Sequence, residues 1–242
     1  PFNEKVRNRD ILRLHGQVVE VGNSQQLPES DNTIANWLFQ QRQNSAFTDA
    51  YSQLLKEFKI TDRRSEKTVE NRLSKNGTLT PAGHKLKLTA AHGRYTLYNP
   101  WGENQTFSLA ELMFIFTGKW FEAYVFQKLK TQKVFDQLQQ NVVLKNDAGK
   151  DKNEFDILGN RNGWLYYFEC KSGWVGTEDI DKMASYQKLF TGRFTIPVMV
   201  SYFELKANVK TRAKEHNINV IDNIDKIERI TDIFRSYKPH EL

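Results

Sequence analysis

The sequence predicts an α/β protein in which a mixed β-sheet is covered by helices on both faces and is preceded by a mainly helical region with a β-hairpin. Three observations predict this fold. From about residue 141 onward, strand-like and helix-like segments alternate after an initial hairpin pattern. Residues 164–171 are apolar at nearly every position until the segment ends, which is typical of a strand buried on both faces. Residues 34–58 instead repeat apolar side chains at helical spacing.

The N-terminal region, residues 1–105, contains two amphipathic helical patterns, and a third helix is predicted over residues 65–75. The pattern then changes to alternation about a turn at His92 and Gly93, which predicts a hairpin. Helices followed by a basic hairpin fit a winged helix and equally fit a structural connector. The apolar positions behind these predictions are Ile34, Trp37, Leu38, Phe47, Ala50, Tyr51, Leu54, Leu55, Phe58, Leu86, Leu88, Tyr95 and Leu97.

Residues 106–242 form the second predicted domain, because a stretch rich in Asn, Pro and Gly at residues 99–104 separates them from the first. The domain opens with a capping box, Ser108 to Glu111. Its other predicted elements are helices over residues 112–116, 119–130, 179–190, 205–216 and 224–237, strands over residues 141–144, 154–158, 164–171, 196–201 and 218–221, and a tight hairpin turn at residues 162–163.

Composition excludes several classes of protein. The chain has 242 residues, with 35 Lys and Arg against 29 Asp and Glu, and a formal net charge of +6. No apolar stretch approaches the length of about 20 residues that spans a bilayer. Cys170 is the only cysteine, which excludes intramolecular disulfides and cysteine-built zinc sites. We expect a cytoplasmic protein.

A basic stretch at residues 71–102 contains no acidic residue. A polyanion such as nucleic acid is one partner that fits this charge pattern. A solvated basic face without a ligand is the alternative.

The chemistry points to three ionisable residues on the predicted hairpin. Glu169 and Lys171 are two residues apart on one strand and therefore project from the same face, while Asp156 lies on the preceding strand. Ending an apolar strand in Glu-Cys-Lys is unfavourable unless the charges are compensated, and a buried Glu–Lys ion pair would supply that. The two carboxylates still repel each other unless one is protonated or a cation binds between them, and hard oxygen ligands favour Mg²⁺ or Mn²⁺.

Asp156, followed by Glu169-Cys170-Lys171 on the next strand, resembles the signature of the PD-(D/E)xK nuclease superfamily. Residues 118–122 and 153–156 look more narrowly like the nuclease domain of CRISPR-associated ancillary nucleases whose N-terminal sensor binds cyclic oligoadenylate. The resemblance covers about residues 108–222 and implies a restriction-endonuclease-like fold.

The resemblance also implies roles for individual residues. Asp156, Glu169 and the backbone carbonyl of Cys170 would bind Mg²⁺ or Mn²⁺. Glu122 would reach this site from its helix, directly or through water. Lys171 would orient the attacking water or stabilise the charge that develops in the transition state.

Gln187 lies on the apolar stripe of its helix, and the superfamily often places a polar site residue on this helix. A satisfied amide near the edge of the helix is the alternative. The analogy further implies a homodimer. Residues 1–105 lack the α/β pattern of a nucleotide sensor, so the sequence leaves a cyclic-oligonucleotide activator undecided.

The leading hypothesis is a metal-dependent endonuclease that hydrolyses DNA, with RNA left open as a second substrate, in defence against foreign nucleic acid. A restriction or junction-resolving nuclease outside CRISPR systems shares the chemistry and differs in substrate. A non-catalytic nucleic-acid-binding protein that uses the basic residues 72–94, with Lys85 and Lys87, is the alternative from a different class.

Overall fold

The computed structural model describes residues 18–20, 29–58, 71, 77–79, 85–145, 151–190 and 195–222. The chain divides into two compact units, Leu27–Tyr124 and the combination of Pro1–Gln26 with Val125–Leu242. These units are not the predicted sequence domains, whose boundary at residues 105/106 stays a prediction. None of the described helices is both long and apolar enough to cross a membrane.

The secondary-structure elements are numbered here in chain order. They are β1 (Val18–Glu20), α1 (Glu29–Gln41), α2 (Ser45–Phe58), β2 (Thr78–Leu79), β3 (Lys87–Ala91), β4 (Arg94–Tyr98), β5 (Gln105–Phe107), α3 (Leu109–Phe116), α4 (Lys119–Gln132), β6 (Gln137–Lys145), β7 (Asp151–Arg161), β8 (Trp164–Lys171), α5 (Thr177–Phe190), β9 (Thr195–Ser201), α6 (Ala207–Glu215) and β10 (Asn219–Asp222).

Most of the predicted elements are present. The helices α1 and α2 and the hairpin β3–β4 are where the apolar spacing placed them. The strands β1, β2 and β5 have only two or three residues each, which is too few for a periodic pattern, so the sequence did not predict them. The helix predicted over residues 65–75 lies outside the described residues except for Asn71, which is helical, and the helix predicted over residues 224–237 lies wholly outside them.

The unit Leu27–Tyr124 combines helices with an antiparallel sheet in the order β2-β3-β4-β5. The hairpin turn has positive φ angles at His92 (51°) and Gly93 (70°), as the favoured two-residue turn requires. In the capping box of α3, the Ser108 hydroxyl accepts the Glu111 N–H and the Glu111 carboxylate accepts the Ser108 N–H, as predicted. The hydrogen bond from the Ser108 backbone holds the pKa of Glu111 below its usual value.

The core of this unit contains a buried polar link. Trp120 Nε1–H donates to Tyr51 Oη at 3.1 Å, and Tyr51 Oη–H donates to the Ile115 carbonyl at 3.3 Å. Trp120 is fully buried, and Tyr124 is buried and stacks on Phe39. Both aromatic residues near Glu122 are therefore part of the core.

In the other unit, six described strands form one sheet in the order β1-β6-β7-β8-β9-β10. Strands β1, β6, β7 and β8 pair antiparallel, and β8, β9 and β10 pair parallel. The turn between β7 and β8 is the predicted Asn162-Gly163 turn, with φ angles of 52° and 81°. This mixed sheet flanked by helices confirms the predicted fold class.

The helices α5 and α6 share an apolar core with one face of this sheet. On the other face, the Phe135 ring meets Tyr166 and Phe168 edge-on. The shared core includes Leu158, Leu165, Tyr167 and Met199 from the strands, Ile180, Met183 and Ala184 from α5, and Val209 and Ala213 from α6.

The backbone at Gly159 lies close to the Phe135 side chain, because a Cβ atom there would be 2.7 Å from two carbon atoms of the ring. The ring cannot move away easily because Tyr166 and Phe168 hold its edges. We expect Gly159→Ala to destabilise the protein by about 1–3 kcal/mol through overpacking, measured by urea denaturation.

Two further variants test the cause of this effect. Gly173→Ala is the matched control, because a Cβ there meets no atom within 4 Å, and it should change stability by less than about 1 kcal/mol. Adding Phe135→Leu to Gly159→Ala should restore part of the loss. Equal effects of the two glycine substitutions would contradict the packing explanation.

Candidate active site

Strand β8 carries the two charged residues of the predicted signature at its C-terminal end. Tyr167, Glu169 and Lys171 alternate along one face of the strand, and Tyr167 lies in the core beneath α5, where its hydroxyl donates to the Met183 carbonyl at 2.7 Å. The charged pair is therefore on the helix-covered face, where the strand leaves the core.

Glu169 and Lys171 form an ion pair, with 2.8 Å between Glu169 Oε1 and Lys171 Nζ. The Glu169 side chain is 9% exposed and the Lys171 side chain 30% exposed. Burial by itself would lower the pKa of Lys171, but the Glu169 carboxylate, with smaller contributions from Asp156 and Asp179, outweighs it and raises the pKa above its usual value. Lys171 is thus an ammonium group at any physiological pH and cannot act as a general base.

Asp156 on β7 lies next to this pair. Its carboxylate oxygen Oδ2 accepts the backbone N–H of Cys170 at 2.7 Å. Cys170 stands between Glu169 and Lys171, so the hydrogen bond holds the Asp156 carboxylate against the charged end of β8. The structure therefore brings Asp156, Glu169 and Lys171 together in one unit of the chain.

The regular strand pattern of β7 is interrupted at Asp156, where the side chain contacts the backbone of β8. The β7–β8 ladder ends at the pair Ile157–Phe168. On the other side, Asn141 of β6 lies opposite Asp156, between two regular pairs, with a φ of 53°. Phe155 packs against Tyr167 although strict alternation from Leu158 would place it on the other face. The alternation of β7 is therefore interrupted at Asp156.

Sequence reasoning missed two residues at this edge of the sheet. Asp179, in the first turn of α5, places Oδ1 3.8 Å from Lys171 Nζ and accepts the Gly176 N–H through Oδ2 at 3.0 Å. Ser201 is the parallel-strand partner of Lys171 and is fully buried, and its hydroxyl has no hydrogen-bond partner among the described residues. Asp179 could have been proposed from the sequence, because it lies in the first turn of the helix that follows the Glu-x-Lys strand.

The roles of the two remaining predicted site residues stay predictions. Glu122 is half-buried on α4 and falls in the other compact unit, so its role stays a prediction. Gln187 is half-buried on α5, eight residues after Asp179, which corresponds to about 12 Å along a helix. Because of this separation we leave Gln187 out of the proposed catalytic set, and its site role also stays a prediction.

The donor groups of the site suit a hard divalent cation. The cluster has two carboxylates, Asp156 and Glu169, with the backbone of Cys170 between them and the Lys171 ammonium on Glu169. Mg²⁺ and Mn²⁺ bind one or two protein carboxylates and retain several waters. No group of three or more His, Cys, Asp or Glu side chains with metal-binding geometry occurs in the described part of the chain. The two carboxylates, Asp156 and Glu169, are the number that such an ion takes from protein.

Comparison with protein families identifies the family to which this chain belongs. The family model of the Card1-like endonuclease domain matches residues 110–241. The chain belongs to this family. The match includes Glu122, Asp156, Glu169, Lys171 and Gln187, and it confirms the resemblance to CRISPR-associated ancillary nucleases. The comparison with curated proteins gives no match.

Two solved structures share the fold of this chain. Can2 from Sulfobacillus thermosulfidooxidans, solved in complex with cyclic tetra-adenylate, is 18% identical with a TM-score of 0.60, over 91% of this chain and 59% of Can2. The protein VC1899 from Vibrio cholerae is 17% identical with a TM-score of 0.60, over 94% of this chain and 60% of VC1899. The chain thus spans about three fifths of these relatives, and at this identity the likeness establishes the fold alone.

The helix α6 contains three basic residues, Lys210, Arg212 and Lys214, and the first two are engaged in ion pairs. Lys210 contacts Asp222 at 2.7 Å and Glu204 at 3.0 Å. Arg212 contacts Asp181 at 2.7 Å. These pairs connect α6 to its neighbours within the Card1-like domain.

Proposed function

We propose that this Card1-like endonuclease is metal-dependent and hydrolyses phosphodiester bonds in DNA, and in RNA as a second substrate, in defence against foreign nucleic acid. The observation that carries the proposal is the cluster of Asp156, Glu169 and Lys171, joined through the Cys170 N–H and the 2.8 Å ion pair. The net charge of +6 favours a polyanionic substrate.

Asp156, Glu169 and the Cys170 carbonyl would hold Mg²⁺ or Mn²⁺. When bound, such an ion supplies a water of lowered pKa and compensates charge on the phosphate. The hydrogen bond from the Cys170 N–H fixes the orientation of the Asp156 carboxylate before any ligand arrives. This pre-organisation lowers the entropy that binding would otherwise lose.

Lys171 would act as a fixed positive charge. Its raised pKa keeps it protonated, and Glu169 and Asp179 restrict its position. An ammonium group so placed donates a hydrogen bond to the attacking water or to a non-bridging phosphate oxygen, where negative charge grows during hydrolysis. The positioning of Lys171 by two carboxylates supports this role over that of a mobile surface lysine.

The test is a cleavage assay on the full chain with plasmid, linear, branched and single-stranded DNA and with RNA. We expect product with Mg²⁺ or Mn²⁺ and none with EDTA, and Asp156→Asn should reduce the rate by at least about 100-fold. Cleavage that persists in EDTA would contradict the metal dependence. A strong preference for branched or palindromic duplexes would favour the restriction or junction-resolving nuclease.

Regulation and assembly belong to the same proposal. Can2 was solved with cyclic tetra-adenylate, so the assay is run with and without this nucleotide to test it as an activator.

We propose a homodimer, because cutting a duplex on both strands favours two active sites related by symmetry. Light scattering of the purified chain measures the oligomeric state.

A cavity in the other unit supports the alternative of a nucleic-acid-binding protein. It has a volume of about 440 Å³ and its lining, which includes Lys85, Lys87, Tyr98, Asn99 and Asn104, contains no acidic residue. Lys87 Nζ lies 5.9 Å from the centre of the Tyr98 ring. Salt-sensitive binding of DNA without cleavage under any metal condition would favour this alternative.

A further inference from the structure

A large aromatic side chain is exposed close to the candidate active site. Trp174 retains 51% of its surface exposure, and the only other large hydrophobic residue exposed in the described ranges is Tyr98, at 43%. Trp174 follows Lys171 by three residues, in the segment that connects β8 to α5. A half-exposed indole contributes little to the core, and its position beside the charged strand end makes it a candidate substrate contact.

The ring is held in place by a second aromatic side chain. Trp174 stacks on Phe203, with 4.9 Å between ring centroids and 10° between ring planes. Phe203 in turn meets Tyr202 edge-on at 5.0 Å. Phe203 is half-buried and Tyr202 is buried, so the stack extends from the core to the surface.

The stack lies at the sheet edge that carries the charged cluster. Trp174 follows the end of β8 and Phe203 follows the end of β9, and these parallel strands are in register at Lys171 and Ser201. The Tyr202 N–H also donates to the Lys171 carbonyl at 2.9 Å. Between Lys171 and Trp174 in the chain, a Cβ at Gly173 would meet no atom within 4 Å apart from its chain neighbours, so the connecting segment borders open space at this residue.

We propose that Trp174, backed by Phe203, is a stacking surface for a nucleobase next to the phosphate held at the candidate active site. The inference rests on the proposed function and adds to it a residue that positions the substrate. Every nucleobase has a π-face that can stack on an indole, so the contact holds the strand without selecting a sequence. Lys171 and a cation held by Asp156 and Glu169 would together bind the phosphate beside the base, which makes a nucleotide a better occupant than an apolar protein surface.

The experiment compares Trp174→Leu with Trp174→Phe in the full chain. Leu keeps apolar bulk, whereas Phe keeps an aromatic face. Affinity for a labelled single-stranded oligonucleotide is measured by fluorescence anisotropy with Ca²⁺ in place of the catalytic cation, and kcat/KM is measured with Mn²⁺. We expect Trp174→Leu to lose about 5- to 100-fold in both quantities, and Trp174→Phe to retain most of each.

A second arm places a single abasic nucleotide at each position of the oligonucleotide. An abasic nucleotide at one or two positions should reduce the affinity of the wild-type protein by the same factor as the Trp174→Leu substitution does with the intact oligonucleotide. The affinity of the Trp174→Leu variant should not change when the abasic nucleotide is at those positions. Thermal unfolding of all variants confirms that they are folded. Phe203→Leu should weaken binding in the same direction, because it removes the ring that supports the indole.

Three outcomes would overturn the proposal. Equal losses with Leu and Phe would indicate a packing role, and a flat abasic profile would show that no base stacks. Dissociation of a dimer by Trp174→Leu, seen by light scattering, would show that a second copy of the chain covers the indole. A wild-type protein that shows the abasic effect but cleaves nothing would refute the proposed nuclease activity while leaving the stacking surface in place.

Discussion

Glu169→Gln should reduce cleavage by at least about 100-fold while leaving the protein folded. The substitution keeps the shape of the side chain and removes the charge that would hold a divalent cation. Glu169 is ion-paired with Lys171 at 2.8 Å and only 9% exposed. When the Glu169 charge is removed, the Lys171 ammonium keeps its contact with the Asp179 carboxylate at 3.8 Å. The initial rate of plasmid cleavage with Mg²⁺ or Mn²⁺ measures the effect.

Lys171→Met is expected to give a similar loss of activity for a different reason. It removes the positive charge near the reacting phosphate, and it also leaves the buried Glu169 carboxylate without its partner. Removing one member of a buried ion pair destabilises a protein by about 3–5 kcal/mol. Because the Lys171 side chain is 30% exposed, we expect the lower part of that range.

The double variant Glu169→Gln/Lys171→Met separates catalysis from folding. Removing both charges eliminates the unpaired carboxylate, so stability should return toward that of the wild type. Activity should not return, because both functional groups are absent. Thermal unfolding and cleavage rates are measured for the wild type, the two single variants and the double variant, which together form a double-mutant cycle. A double variant that is stable and active would show that the pair is structural and that the site lies elsewhere.

Trp120→Ala should destabilise the unit Leu27–Tyr124 by about 3–5 kcal/mol. Trp120 is fully buried, so the substitution opens a large cavity and removes the hydrogen bond that Nε1–H donates to Tyr51 Oη. Chemical denaturation followed by circular dichroism measures the change. Because the chain has two compact units, the loss should appear in a transition that involves this unit.

Tyr51→Phe is the matched control for this prediction. It retains the ring and removes only the hydroxyl that accepts from Trp120 and donates to the Ile115 carbonyl. Leaving the buried Trp120 N–H without its partner should lower stability by about 1–3 kcal/mol. A Trp120→Ala effect no larger than that of Tyr51→Phe would contradict the cavity argument.

Local patterns predicted much of the candidate site. Alternation along β8 was sufficient to place Glu169 and Lys171 on one face, because a strand with an apolar interior has a single register that buries its core positions. The Asn162-Gly163 turn indicated that β7 and β8 are adjacent. The position of Asp156 could not be predicted from the same rule, because the alternation of β7 is interrupted there.

By itself, the sequence determined the mixed sheet, the order of its central elements and the identity of the charged strand end, since periodicity and turn chemistry act over a few residues. Only the tertiary structure decided which groups surround that end. The left-handed Asn141 opposite Asp156, the approach of Asp179 to Lys171 and the stacking of Trp174 on Phe203 each join residues from different elements. Contacts of this kind depend on how strands and helices pack, and no local pattern encodes them.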